Sequence, residues 1–559
     1  MVKKLFSLFN KEIIGLHEAA YLLAFFAFLS QLLALVRDKL LAHTFGASPI
    51  LDIYYAAFRV PDLIFVSIAS VVSASVLIPF FMEKINADEK EGQRFVNNVF
   101  SAFFFVIILV SLIVFIFTPF LIKFLLPGFA DDYHFVELVG ATRILLLSPI
   151  FLGISNFLSS ITQIHKRFLV YALSPLVYNA AIIGGMIFLY PLFGLKGLIG
   201  GVVIGSFLHM LIQIPFIIYK GVFPTLLFDI DWKSIKKVIL VSLPRTLTLS
   251  SNQLASFFLV SLASFMAMGS ISVFSLAFNL QSVPLTIIGV SYSSAIFPTL
   301  SKFFVKGERN EFLNKMIESA RHIIFWSIPI TILFIVLRAQ IVRTIYGSGQ
   351  FSWADTRLTA ASLALFIISV VGQSLILLFV RAYYAEGKTK KPLVINIISS
   401  TCIALLGYVL TKAFFTYPIF RFFLEDLLKV SGQSGTSVLV LPLAYSLGIL
   451  LNTYFHWHMF ERDYRGFTRP VFATLIHSFS ASIIMGYVTF ISLRFFNLFF
   501  TLDKAWGVFL QGFCAGIVGI IAGICVLILL KNEELKEVWT TLHRKIWKAK
   551  VVVPDQETL

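Results

Sequence analysis

The chain has 559 residues, 58% of them hydrophobic and only 13% charged, with a mean hydropathy of +0.89. A soluble protein of this composition lacks the charge to cover its surface. The net charge of +16 needs no nucleic acid to explain it, because the cytoplasmic loops of membrane proteins collect lysine and arginine against anionic lipid. Successive apolar runs of about 20 residues, each long enough to cross a bilayer as a helix, predict an all-α polytopic membrane protein.

In chain order, residues 1–16 set Leu5, Phe9 and Ile13 beside Lys3, Lys4 and Lys11 and predict an amphipathic segment on an anionic leaflet. About 14 transmembrane helices follow, near 17–42, 52–82, 95–118, 134–164, 168–190, 195–219, 235–267, 271–301, 314–337, 356–386, 391–413, 434–460, 469–493 and 505–530. With the N-terminus cytoplasmic, the inner segments hold Lys84, Lys90 and Arg94, then Lys166 and Arg167, then Lys233, Lys236 and Lys237, then Lys388, Lys390 and Lys391. The outer ones are sparsely basic, so both termini are expected in the cytoplasm. The loops near 220–234 and 414–433 read as linkers. The basic tail, 531–559, has Leu535, Val538, Trp539, Leu542 and Ile546 on one helical face, which suits a membrane-surface helix.

The chain repeats itself. Pro175-Leu-Val-Tyr-Asn179 recurs as Pro392-Leu-Val-Ile-Asn396, and Ala57-Phe58-Arg59 recurs as Ala277-Phe278-Asn279. Each Ala-Phe copy is followed by a proline (Pro61, Pro284) and preceded by a glycine turn (Gly46, Gly269). Matches in one order at a near-constant offset predict two pseudo-symmetric six-helix halves, 17–219 and 235–460. Two extra C-terminal helices fill 469–530. Substrate is then expected between the halves, with access alternating as they rock.

Charge inside apolar helices marks a cavity or a protein interior. It is concentrated in the first two spans. Ser30 and Arg37 share a face of the first, and Asp52, Tyr55 and Arg59 share a face of the second. Arg37 and Arg59 suit phosphate oxygens gripped in a fork. Asp38 and Asp52 suit orienting those arginines or binding a coupling cation. Asn279 and Gln281 are the polar, uncharged counterparts in the eighth span. Arg143, Arg245 and Arg381 are lesser candidates. Cys402, Cys514 and Cys525 lie in apolar runs and read as packing residues. The sequence shows no phosphate-binding loop, no nucleophile elbow and no metal-ligand spacing. It reads as a transporter, not an enzyme, with no cofactor and no metal. Energy would come from a monovalent cation gradient, the membrane potential or the substrate gradient.

Arg37-Asp38, Phe45-Gly46-Ala47, Asp52 and Phe58-Arg59-Val60-Pro61-Asp62-Leu63 together resemble the N-terminal signature of the MurJ/MviN family. Pro127-Gly-Phe-Ala130, Phe297-Pro-Thr-Leu-Ser301, Tyr346-Gly-Ser-Gly-Gln-Phe351 and Tyr383-Tyr-Ala385 follow in the family's order. The resemblance implies a bacterial cytoplasmic-membrane flippase of the multidrug/oligosaccharidyl-lipid/polysaccharide exporter superfamily. Its substrate would be lipid II, a lipid-linked pyrophosphate precursor of peptidoglycan, carried from the inner to the outer leaflet. The resemblance also implies a central cavity for the headgroup and a groove for the lipid tail at the last two spans. Anionic lipids and cell-wall synthesis proteins are the implied partners. Arg37, Asp52 and Arg59 fall on matching positions. Ile64-Phe65-Val66, Ser70 and Ala277-Phe278-Asn279 depart from the pattern, and two of the family's usual cavity arginines are missing there. The alternatives are a flippase for another polyprenyl-pyrophosphate glycan, a cation-coupled antiporter of the same superfamily, or a transport-deficient scaffold.

Overall fold

The computed structural model describes residues 16–547, except 70–76, 78–79, 82–83, 85–88, 131–133, 166 and 503. The expected amphipathic segment at the N-terminus, Ser70 and the last residues of the tail lie outside the described residues. Helices, turns and irregular segments make up everything described, as a chain in lipid requires, since a helix satisfies its backbone groups within the segment.

The elements used below are α1 (Leu16–Phe45), α2 (Pro49–Ala57), α3 (Arg59–Ile64), α4 (Glu89–Leu125), α5 (Phe135–Leu145), α6 (Leu147–Ile164), α7 (Phe168–Gly184), α8 (Leu195–Leu211) and α9 (Trp232–Ala263). They continue with α10 (Ser270–Pro284), α11 (Arg309–Val336), α12 (Trp353–Ile367), α13 (Ser369–Ala385), α14 (Lys390–Thr416), α15 (Pro418–Leu428), α16 (Val440–Asp463), α17 (Thr468–Phe496), α18 (Ala505–Leu529) and α19 (Glu533–Trp547). Among the described residues, 10 helices are long and apolar enough to cross a membrane. The bent pair α12 and α13 raises this to 11 when read as one span. α9 is 32 residues long, but Thr246, Thr248, Ser250, Ser251, Asn252 and Gln253 dilute its apolarity. The protein is thus a polytopic all-α membrane protein.

Two prolines shape the helices that matter most. Pro61 has no N–H for the Ala57 carbonyl, and the second span breaks there into α2 and α3, followed by a π-helical turn at Phe65–Ala69. Pro284 closes α10 and is likewise followed by a π-helical turn, Leu285–Val290. Such turns re-pair carbonyls that a proline leaves without a donor.

The chain packs as two compact units. The first comprises Met1–Val283, Ile345–Phe366 and Lys388–Asn452. One apolar cluster joins Phe95, Phe100 and Phe103 of α4 to Phe157 and Ile161 of α6 and Val238 of α9. The segment before α9 is strapped to α4. Thr225 and Leu227 donate backbone N–H groups to Asn97 Oδ1 and Ser101 Oγ, and Asn98 exchanges two hydrogen bonds with the backbone of Asp231. The expected linker at 414–433 contains a helix instead. In α15, Glu425 is buried and receives Arg421 Nε at 2.9 Å and Thr436 Oγ1 at 2.6 Å, while Ile419, Phe422 and Phe423 are exposed. An amphipathic helix beside a span suits the membrane interface.

The second unit comprises Pro284–Thr344, Ile367–Gly387 and Thr453–Leu559. Phe379, Phe460 and Phe467 form its aromatic centre, with ring centroids 5.0–5.5 Å apart. His456 stacks on Phe379 and is fully buried. α19 returns to this unit: Glu534 accepts from Arg321 Nε and Thr474 Oγ1, both at 2.6 Å, and Glu533 pairs with Arg321 Nη2.

Candidate functional site

All eight predicted residues fall in the first unit, on α1, α2, α3 and α10. They form three groups rather than one cluster. The first is built on Arg37. Its Nε and Nη2 donate to Asp38 Oδ1 at 2.9 and 2.8 Å, and its Nη1 donates to Asn179 Oδ1 of α7 at 3.0 Å. Asn179 Nδ2 reaches Ser30 Oγ at 3.4 Å, and the other oxygen of Asp38 accepts from Asn279 Nδ2 of α10 at 2.9 Å. Ser30, Arg37, Asp38 and Asn279 are therefore one hydrogen-bonded chain tying α1 to α7 and α10. Asp38 is deeply buried and Arg37 is 20% exposed at its side chain, so the pair has one accessible edge. Adjacent residues rarely face each other on a helix. Here the length of arginine lets the guanidinium fold back on its neighbour.

Charge and helical spacing do not point to Asn179, although it stands in the repeated Pro-Leu-Val-x-Asn motif. In both copies the asparagine Nδ2 donates to the proline carbonyl four residues earlier, Asn179 to Pro175 at 3.0 Å and Asn396 to Pro392 at 2.8 Å. That bond holds the amide rigid, and the free amide oxygen then faces a partner: Arg37 for Asn179 and Asn452 Nδ2 for Asn396. The recurrence of the motif was the signal.

The second group is built on Asp52. Its carboxylate turns to neither arginine. Oδ2 accepts the Gly269 N–H at 2.7 Å, and Oδ1 accepts the Ser272 N–H at 2.7 Å and Ser272 Oγ at 2.6 Å. Asp52 thus caps the N-terminus of α10, whose first N–H groups have no partner within the helix, and its charge sits at the positive end of the helix dipole. The surrounding turns are close-packed. Gly269 has φ +87°, and a Cβ there would lie 2.4 Å from the Ala47 carbonyl oxygen. At Gly46, φ +64°, a Cβ would lie 2.6 Å from that of Gln350. Gln350 N–H donates to the His43 carbonyl at 2.9 Å, and His43 Nδ1 lies 3.0 Å from Ser348 Oγ. The α1–α2 turn, the α9–α10 turn and the loop at 346–351 make one tight closure at this end of the spans.

The third group is built on Arg59, at the start of α3. Nη2 donates to Ser275 Oγ of α10 at 3.3 Å. Its Nε is buried with no hydrogen-bond partner among the described residues, as is the hydroxyl of Tyr55. A buried donor without a partner costs about 1–3 kcal/mol, and such groups are rare enough to call for an explanation. Gln281 is fully buried within α10. Of the lesser candidates, Arg143 donates to the Phe115 carbonyl at 3.1 Å and lies over that ring, while Arg381 donates to Ser294 Oγ at 3.1 Å.

The described residues bring together no group of three or more His, Cys, Asp or Glu side chains able to hold a metal ion. The chemistry on offer is anion recognition by two arginines, hydrogen bonding by amides and tyrosine, and a closure that Asp52 pins.

The family model described as "Lipid II flippase MurJ" matches residues 41–419. The chain belongs to the MurJ family. That MurJ match covers α2, α3, α10 and the closure around Asp52. A probable lipid II flippase MurJ of Rickettsia prowazekii is 28% identical over 69% of this chain and 76% of its own length. A lipid II flippase MurJ of Burkholderia cenocepacia is 24% identical over 71% and 78%. Among solved structures, a lipid II flippase MurJ in an inward closed conformation superposes with a TM-score of 0.73 at 22% identity, covering 92% of this chain and all of the other. An inward-facing MATE-family transporter of the MOP superfamily superposes at 0.63 and 14% identity, covering 79% of this chain and 96% of the other. These superpositions establish the shared MurJ and MATE fold. Membership of MurJ, with so many apolar spans, makes this a multi-pass protein of the inner membrane.

Proposed function

We propose that this protein is a lipid II flippase that carries the lipid-linked pyrophosphate from the inner to the outer leaflet by alternating access. The observation that carries the residue-level reading is Arg59. Its buried Nε and the Tyr55 hydroxyl four residues earlier are donors without partners on one helical face. A pyrophosphate supplies acceptor oxygens in the fork geometry that a guanidinium matches. Arg37 is the second cationic contact, held in place by Asp38 and Asn179 and open at one edge. Asn279 occupies the position where the family pattern expects an arginine, so Arg37 and Arg59 carry the positive charge of the headgroup site.

Asp52 serves this cycle as the pin of the closure. While its carboxylate holds the start of α10, the α1–α2 and α9–α10 turns stay together and this end is shut. Substrate that satisfies Arg59 and Tyr55 removes a cost that the shut form carries when empty and so shifts the balance of states by its differential affinity for them. The rocking elements are the six-span halves, 17–219 and 235–460, with fourteen spans in all, both termini in the cytoplasm, and the last two spans serving the lipid tail. Coupling draws on a monovalent cation or the membrane potential, and the contacting partners are anionic lipids and cell-wall synthesis proteins.

The test is complementation in bacteria depleted of their own lipid II flippase. The wild-type chain restores growth and cell shape, and Arg59→Ala at equal membrane abundance does not. Growth restored by Arg59→Ala removes the pyrophosphate role. Failure of the wild type, with restored transport of another polyprenyl-linked glycan, reassigns the substrate.

A further inference from the structure

Arg143 carries a charge on the lipid-facing side of the first unit. From α5 into α6, Val136, Gly140, Arg143 and Leu147 follow at helical spacing on one face, and Val136 and Leu147 are exposed. The adjoining face of α4 is as bare, with Leu112, Ile116 and Phe120 each more than half exposed. Such a face meets hydrocarbon, where a charge is costly and marks a candidate for function. Two contacts fix the guanidinium there. Pro119 lies inside α4 and has no N–H for the carbonyl of Phe115, four residues earlier. Arg143 Nε supplies the missing donor at 3.1 Å. The guanidinium carbon also lies 5.0 Å from the centre of the Phe115 ring, within cation–π range. These contacts use one N–H and one face. The Nη1–Nη2 edge makes no hydrogen bond or ion pair among the described residues.

The depth of this edge and the path to it identify the occupant. Glu137 and Lys123 are exposed near the adjoining ends of α5 and α4. From Glu137 to Arg143 α5 descends about 9 Å, and from Lys123 to Phe115 α4 descends about 12 Å. The hydrocarbon of one leaflet is about 15 Å deep, so the guanidinium lies below the level of those charges. A helical side chain leans toward the N-terminus of its helix, here the end at Glu137. That path is open, because at Gly140, one turn nearer the surface on the same face, no atom lies within 4 Å of where a Cβ would stand. The anion that a membrane surface offers is the lipid phosphate, and its oxygens match the free fork of the guanidinium. Arginine at such a depth is accommodated by snorkelling and by local thinning of the bilayer.

We propose that Arg143 is a binding site for the phosphate of a phospholipid, drawn down past Gly140 so that the bilayer is thinned beside α4 and α5. The orientation proposed above places the site in the outer leaflet. It is separate from the Arg37 and Arg59 groups and does not depend on the transported substrate. Pro119 builds the site from the protein's side, since the carbonyl it leaves without a donor is what holds Arg143 at this depth.

The test is photolabelling of the full-length protein in phosphatidylethanolamine–phosphatidylglycerol vesicles. The probe is a trace of phosphatidylethanolamine with a diazirine on its headgroup, beside the phosphate. A headgroup probe marks helix ends in an undisturbed bilayer, whereas here it should also mark the deeper peptides 112–120 and 140–147. Arg143→Leu should cut that deep label about tenfold, the effect of losing one charge-assisted hydrogen bond, and leave the label at helix ends unchanged. Gly140→Leu closes the path but keeps Arg143 and both of its contacts. It should cut the deep label likewise, and it decides the matter if Arg143→Leu does not fold. A glucosyl diacylglycerol with the diazirine on its sugar, which has no phosphate, should leave the deep peptides unmarked. Deep label that is absent from the wild type, unchanged in both variants, or equally strong from the glucosyl probe overturns the site. Displacement by a polyprenyl pyrophosphate but not by added phosphatidylglycerol overturns its assignment to phospholipid.

Discussion

Replacing Asp52 with asparagine tests the closure at its pin. The side chain keeps its size, but one oxygen becomes an NH2 group. Asp52 accepts three hydrogen bonds of 2.6–2.7 Å, two from backbone N–H groups at the start of α10 and one from Ser272 Oγ. A hydrogen bond to a charged group is worth about 1.5–3 kcal/mol and a neutral one about 0.5–1.5. An asparagine oxygen kept on Ser272 loses about half the strength of two bonds, and the NH2 then faces the Gly269 N–H, whose bond is lost. With a few tenths more from the helix dipole, the closure weakens by at least about 3 kcal/mol, a hundredfold or more in its equilibrium. Amide hydrogen exchange reads this directly. The Gly269 and Ser272 amides should lose about a hundredfold of protection in Asp52→Asn, while α18 keeps its protection. Unchanged protection at 269–272, or an equal loss in α18, would refute the capping role.

Gly269→Ala places a side chain at φ +87° and 2.4 Å from the Ala47 oxygen. It should open the same closure by about 1–2 kcal/mol from backbone strain alone, seen as faster exchange at 46–48 and 269–272 and a lower melting temperature. Asn279→Ala removes a donor from buried Asp38 and should destabilise by about 1–3 kcal/mol, read by thermal unfolding in detergent, with no effect expected if Asp38 is free to turn to water. Glu534 responds to pH. Burial pushes its carboxyl up, but the hydrogen bonds from Thr474 and Arg321 outweigh this and hold it below the ordinary range. A depressed carboxylate contributes stability that is full above its unfolded value of about 4.3 and is lost as pH falls through the folded value. Docking of α19, followed by Trp539 fluorescence, should hold at neutral pH and fail on acidification below that range, and Glu534→Gln should flatten this acid transition.

Much of this was legible in the sequence, because the medium is harsh. In lipid a run of apolar residues can only be a helix, so the class of fold follows from composition, and charge among those residues pointed to Arg37, Asp38, Asp52 and Arg59. The partners of those charges were less legible. Asp52 shares a helical face with Arg59, which suggested an arginine partner. Its actual partners are the Gly269 and Ser272 N–H groups and the Ser272 hydroxyl, more than 200 residues away, and backbone donors leave no mark in side-chain spacing. Asn179 was visible only as a repeated motif, since an amide in an apolar helix does not announce what it will hold. α15 lies in the stretch 414–433 that reads as a linker, and its charges, Arg421, Glu425 and Asp426, interrupt the apolar run. The structure pairs Arg421 with Glu425 at i and i+4 and turns the phenylalanines outward, a pattern that an interfacial helix shares with a polar loop.

The most direct measurement is lipid II translocation in proteoliposomes, comparing the wild type with Arg59→Ala and Arg37→Ala at equal reconstitution. The account predicts that the wild type moves lipid II to the opposite leaflet and that each substitution lowers the rate at least tenfold, the effect of losing about 1.4 kcal/mol of headgroup binding. Wild-type rates in both variants would contradict it.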